Sequence, residues 1–315
     1  MNLKGKTMSS PYSYSSNGLP ALDPNHRSFA TVRHFTEIPQ DYARIDAFLS
    51  ERGIRPLANA RYGLQRNVVQ RFLDGEIPEN DAGATALAIA LVDLAQMWAV
   101  ISTYRELRKL PADLRTAFFS DPVELSRGGP SKGRDALMEY YAGARFKAAG
   151  CSIRKAEPDI VCQFRSVEFG LAVKRFKIDN LEQHVRKARR QIENTGRGGV
   201  IVLDVTQSNP TLSAPVGGTV DGYRTAMLEW MEEHFYQPLR RNWQAWGLDR
   251  RKVPYVVCFN HGVFFGDDGG VYRMSQMYNF VTDPVSPPSI SESAMIYAVH
   301  EAVEAVRATL PEAAP

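Results

Sequence analysis

Three polar residues in this chain have types and spacing suited to chemistry: Glu139, Asp159 in the pair Pro158-Asp159, and Lys174 closing Leu171-Ala172-Val173-Lys174. Carboxylates hold hard cations through oxygen, and Mg²⁺ needs few of them because it keeps several waters. Such a cation offsets charge growing on a phosphate under attack. A nearby ammonium adds to that stabilisation. The set therefore suits hydrolysis of a phosphodiester, provided the folded chain brings the three together.

The elements that must do this follow from periodicity. A helix is predicted over RDALMEYYAGARFKAAG, with Glu139 on it and the small residues Ala142 and Gly143 one turn on, where a backbone or metal could approach. Two strand-like runs follow, SIRKAEPDIVCQF and SVEFGLAVKRFK. Side chains alternate along a strand, so Glu168, Gly170, Ala172 and Lys174 share one face while Phe169, Leu171 and Val173 share the other. NLEQHVRKARRQIENTG predicts a helix with Leu181, Val185, Ala188 and Ile192 at core spacing. GGVIVLDVT reads as a strand buried on both faces. A further helix at DGYRTAMLEWMEEHFYQPLRRNWQAW, a last strand at VPYVVCFNHGVFF and a closing helix complete an α/β order with helices on the faces of a sheet.

This order, with these residues, resembles the PD-(D/E)xK nuclease superfamily over roughly 133–265. The resemblance implies a restriction-endonuclease-like α/β domain, a mixed sheet flanked by helices, over 130–310. It implies Mg²⁺- or Mn²⁺-dependent cleavage of nucleic acid, expected to be DNA. Asp159 would be a metal ligand, Glu139 an auxiliary ligand, and Lys174 would orient the attacking water. The family's second acid, two residues before the lysine, is Ala172 here. Glu168 lies on the correct face but roughly 13 Å away at 3.3 Å per residue. Glu157, two residues before Asp159, is the better substitute ligand. Glu182 and Glu193 fall with Arg186 and Arg189 on the outer face of their helix. His184, Lys187 and Gln191 flank its core stripe and can face the site, and a Gln at this place is similar to what several families of the fold use.

Charge is concentrated beside the lysine. From Lys174 to Arg197 there are eight Lys/Arg against three Asp/Glu, whereas the whole chain carries only +3. Lys174, Arg175, Lys177, Lys187 and Arg190 are the expected phosphate contacts, giving salt-dependent affinity without sequence readout. Three readings stay open. The site is an active nuclease; or, without an acid at 172, it is a catalytically inactive nuclease-fold module that binds nucleic acid or a partner protein; or the likeness is chance in an unrelated α/β protein.

Ahead of this domain, residues 1–28 read as a flexible leader and 30–125 as a helical region for target recognition or partner contact. Tyr42, Ile45, Phe48 and Leu49 share a face of its first helix, which ends at Gly53. The apolar run 84–102 approaches membrane-spanning length, but Asp93 and Gln96 interrupt it, which predicts a buried helix and no membrane association. SRGGPSKGRD at 126–135 lacks the phosphate-loop spacing and reads as a linker. Ile296, Val299, Val303 and Val306 form a stripe on the last helix, expected to pack on its own domain, with a homodimer seam as the alternative. Cys151, Cys162 and Cys258 show no paired spacing and read as buried free thiols. With no apolar signal core at the N-terminus, they point to the cytoplasm. No zinc, haem or nucleotide motif is present, and no G-x-S-x-G elbow.

Overall fold

Burial of apolar strands on both faces fixes the centre of the molecule. The structure, a computed structural model, describes residues 29–34, 38–76, 78, 81–119, 132–176, 178–213, 217–267 and 270–309. The expected leader and most of the expected linker lie outside them. In chain order the elements are β1 (Phe29–His34), α1 (Ile38–Ser50), α2 (Arg61–Leu73), α3 (Asp81–Thr103), α4 (Ala112–Phe119), α5 (Lys132–Ala148), β2 (Ser152–Ala156), β3 (Asp159–Phe164) and β4 (Val167–Arg175). There follow α6 (Leu181–Asn194), β5 (Gly199–Asp204), α7 (Pro210–Ser213), β6 (Gly217–Gly218), α8 (Val220–Met231), α9 (Gln237–Asn242), β7 (Tyr255–Gly266), β8 (Val271–Val281) and α10 (Ile290–Ala308).

Seven of the described strands form one mixed sheet in the order β1-β8-β7-β5-β4-β3-β2, and the two-residue β6 pairs with the end of β7. β4, β5 and β7 run parallel, as do β6 and β7; the other pairs are antiparallel. Every residue of β5 is buried, as its unbroken apolar run requires. On one face, Phe169, Leu171 and Val173 of β4 join Val200, Val202, Val257 and Phe259 in the larger core. On the other, Ala172, Ile201, Leu203 and Val256 meet Leu181, Val185, Ala188 and Ile192 of α6. The alternation read from β4 is thus the division between the two cores.

The sheet has more strands than periodicity predicts. SIRKAEPDIVCQF is a hairpin, β2 and β3, broken at Glu157-Pro158, and not one strand. β8 follows β7, so VPYVVCFNHGVFF is not the last strand. β1 opens the described chain within the region read as helical from residue 30 and pairs with β8. Its six residues carry too short a pattern to be told from a loop, and only the partner strand makes it one. The helix predicted over 221–246 is interrupted by a π-helical turn at Glu232–Tyr236.

The N-terminal helices share the larger core with the sheet: residues from Tyr42 to Phe118 belong to the same buried cluster as β4, β5, β7 and α10. Helix α10 packs there through Ile296, Val299, Val303 and Val306, as its stripe predicts. A capping box between Ser289 and Glu292 sets its start. Helix α3 is long and apolar enough to cross a membrane by composition, yet most of that stretch is buried inside the protein. Its Asp93 is 3 % exposed and accepts from Arg61 Nη2 at 2.6 Å, Gln65 Nε2 at 2.8 Å and Arg134 Nη2 at 3.2 Å. Burial pushes this carboxyl up, but Arg61 and Arg134 outweigh burial and hold it at about 2. The three cysteines are buried free thiols.

Two measurements follow. Asp93→Ala leaves Arg61 and Arg134 buried without their anion and is expected to remove about 3–5 kcal/mol of stability, read from the urea midpoint. Burial, with Arg273 and Arg145 nearby, lowers His261 to about 3; burial, with Arg250 and Arg307, lowers His300 to about 4. The unfolded chain takes up these protons near 6.5, before the folded chain does. Their stabilising effect is therefore complete above about pH 7 and lost as pH falls from 6.5, each histidine adding a slope of about 1.4 kcal/mol per pH unit. Urea titrations at pH 7.5, 6 and 5 should show this, and His300→Gln should flatten the slope.

Candidate functional site

The turn between β2 and β3 decides where Asp159 stands. The Pro158 ring packs over Gly170 of β4 so closely that a Cβ there would lie 2.7 Å from Pro158 Cδ. Glycine at 170 therefore lets the turn close against β4. β3 begins at Asp159, one residue before the pair Ile160 and Leu171 in the β3–β4 ladder. Beyond that point the Asp159 carboxylate takes the place of strand backbone: its Oδ2 accepts from Val173 N–H at 2.7 Å and from Lys174 Nζ at 3.0 Å. Lys174 Nζ also donates to the Val173 carbonyl at 2.8 Å. An ammonium thus stands where a carboxylate and a carbonyl oxygen converge. Both side chains are largely enclosed, at 15 % and 13 % exposure.

Glu139 reaches the same end of the sheet from α5. Its carboxylate forms an ion pair with Lys155 of β2. Burial pushes the Glu139 carboxyl up, Lys155 pulls it down, Asp159 raises it further and Lys174 lowers it, with a net rise. Asp159 and Lys174 thus act on Glu139 through their charge, while the direct contact of Glu139 is with Lys155. Gly143, expected to leave room near Glu139, is filled instead: a Cβ there would meet Tyr104 Oη at 2.8 Å and Ile160 Cδ1 at 3.0 Å. Its smallness serves packing between α5 and the β2–β3 hairpin.

Helix α6 closes the other side. Gln191 Nε2 lies 3.4 Å from the Pro158 carbonyl oxygen, and its Oε1 is buried without a hydrogen-bond partner. His184 stacks on Phe176 at 4.4 Å between centroids. Burial, then Lys187 and Lys174, lower its pKa, so it is neutral at pH 7. Lys187 and Arg190 are exposed, carry no ion pair among the described residues, and line with Gln191 an open groove of about 690 Å³.

Other candidates are placed elsewhere. Arg175 is not a surface contact: its side chain is 6 % exposed and its Nε pairs with Asp135 at 3.1 Å. As neighbours on a strand, Lys174 and Arg175 point to opposite faces. Glu157 lies exposed in the β2–β3 turn and not on a strand face beside Asp159. Glu168 pairs with Arg154 and Arg197. Glu182 and Glu193 pair with Arg186 and Arg189 along α6. Lys177 lies outside the described residues. Ala172 is fully buried in the apolar cluster against α6, so the second acid's place is occupied by core. Among the described residues no three His, Cys, Asp or Glu side chains gather as a metal cage. Sequence reading missed Lys155 and Asp135. Only the hairpin carries Lys155 to Glu139, and Asp135 had no signal beyond its place on the same helix.

Compared with known protein families, with curated proteins and with solved structures, this chain matches none.

The Asp159–Lys174 contact is measurable by a double-mutant cycle. Lys174→Met leaves a largely enclosed carboxylate with one N–H donor and is expected to cost about 1–3 kcal/mol at pH 7. Adding Asp159→Asn should recover part of that loss, giving a coupling of about 0.5–3 kcal/mol in thermal or urea unfolding.

Proposed function

We propose that the chain is a metal-dependent nuclease of the restriction-endonuclease-like kind, hydrolysing phosphodiester bonds of DNA with Mg²⁺ or Mn²⁺. The observation that carries this reading is the Lys174 ammonium held between the Asp159 carboxylate and the Val173 carbonyl. The element order α5-β2-β3-β4-α6-β5, with β4 and β5 parallel, supports it. So does the exposed cationic face of α6 at Lys187 and Arg190. The donors suit a hard cation: the carboxylates of Asp159 and Glu139, the Val173 carbonyl and the unpartnered Oε1 of Gln191 are all oxygens. A bound Mg²⁺ would supply charge compensation for the phosphate under attack. Lys174 would orient the attacking water and share that compensation. Lys187 and Arg190 would hold the nucleic acid by its phosphates. The three free cysteines fit a cytoplasmic setting.

A second reading, a nuclease-fold module that binds nucleic acid or a partner protein without cutting, is favoured by two observations. Ala172 is sealed into the core where a second acid would stand, and Glu139 is already neutralised by Lys155.

The test is incubation of purified protein with plasmid and linear DNA and with RNA, in Mg²⁺ or Mn²⁺. Cleavage is expected to fall about 100-fold or more in Asp159→Ala and in Lys174→Ala. Cleavage untouched by both would remove the assignment. Absent cleavage with salt-sensitive DNA binding retained selects the second reading.

A further inference from the structure

A second cationic site lies on the N-terminal helices, apart from Asp159. Trp98 of α3 is half-buried, and two guanidinium groups lie over its ring: Arg44 of α1, 5.2 Å from the centroid, and Arg105, just beyond α3, at 5.7 Å. Both arginines are exposed, and neither has an ion pair among the described residues. Their separation cannot exceed the sum of those two distances, which is about one screening length in 0.1 M salt. Two like charges gathered on one aromatic ring repel each other, and an anion between them relieves the repulsion.

These residues line a pocket of about 280 Å³ between α1 and α3, with Phe48, Ile101, Glu51 and Arg52. Arg52 belongs to the fold. Its guanidinium donates to the carbonyls of Phe48 at 2.9 Å, Leu107 at 2.8 Å and Arg105 at 2.8 Å, and it lies 3.6 Å over the Phe48 ring. It therefore serves the Phe48 carbonyl near the end of α1 and ties the backbone of Arg105 and Leu107, beyond α3, beside that helix. Glu51 is largely exposed and its contact is with Arg52, at 3.4 Å. Arg44 and Arg105 are left as the pocket's surplus charge, beside an indole and a phenyl ring.

We infer that the Arg44–Trp98–Arg105 pocket binds single-stranded nucleic acid, the two arginines taking phosphates and the Trp98 side of the pocket taking a base. Phosphate-binding cations interleaved with aromatic faces are what a single strand recognises, because its bases are free to stack and its backbone is anionic. Paired bases in a duplex cannot enter a pocket of this kind, so the chemistry favours a single strand over double-stranded DNA. The assignment goes beyond the cleavage reading and needs neither a metal nor Asp159.

The experiment is fluorescence anisotropy of a labelled 20-nucleotide oligothymidine with the full chain in EDTA, across a salt series. Arg44→Gln/Arg105→Gln is expected to weaken binding about 10-fold and to reduce the slope of log affinity against log salt by about 1.4, two contacts at roughly 0.7 each. Trp98→Ala should weaken binding several-fold without changing the slope, and Trp98→Phe should restore most of the loss. The same fall and the same change of slope are expected when the arginine substitutions are made in the Asp159→Ala background, which separates this site from the cleavage reading. Unchanged affinity and slope in the double arginine variant would overturn the inference. So would a loss of equal size for a duplex of the same length, or thymidine monophosphate binding as tightly as the oligonucleotide.

Discussion

A carboxylate sealed among helices must be met by positive charge, and Asp93 imposes that demand on the whole N-terminal half. Arg61 brings α2, Arg134 brings α5, and the carboxylate itself belongs to α3. Removing one partner of such a cluster leaves an uncompensated buried ion, whereas the intact set tolerates enclosure. The next residue on α5, Asp135, pairs with Arg175 at the end of β4. The charge pattern thus runs from the N-terminal helices into the strand that carries Lys174. The helices and the sheet share one core, and this polar chain fixes their relative placement where apolar contact alone is not directional.

The candidate site depends on a strand that starts late. Had β3 extended further back, its backbone would have met Val173, and the Asp159 side chain would have had no N–H to accept. Pro158 over Gly170 holds the turn against β4. The resulting pair of strand ends presents a carboxylate, a carbonyl and an ammonium within hydrogen-bond distance of one another. Two acids at this end of the sheet each have a lysine, Asp159 with Lys174 and Glu139 with Lys155. A cation entering the site would compete with both.

Local periodicity made the helices legible: the core stripe Leu181, Val185, Ala188, Ile192 and the glycine at 53 stand where the pattern puts them. The α/β class and the opposite faces of Ala172 and Val173 were readable for the same reason. What sequence hid was long-range. β1 is a strand because β8 lies beside it, and β8 itself mixes polar and apolar residues without strict alternation. Arg175 looked like its neighbour Lys174, yet a one-residue step on a strand turns it to the opposite face and into a pair with Asp135. Lys155 entered the site only through a hairpin whose break at Pro158 was read as part of a single strand.

The outer position of β2 has a consequence for assembly. Its five residues have no strand beyond them among the described residues, so one row of backbone donors and acceptors is left for another chain to pair with. Ser152, Arg154 and Lys155 are exposed along it. Charged side chains on a short border strand oppose edge-to-edge docking, because Arg154 and Lys155 would have to give up water and their partners Glu168 and Glu139 to let a second strand in. The short, charged border strand is the feature by which a sheet of this kind resists adding a second copy at its edge.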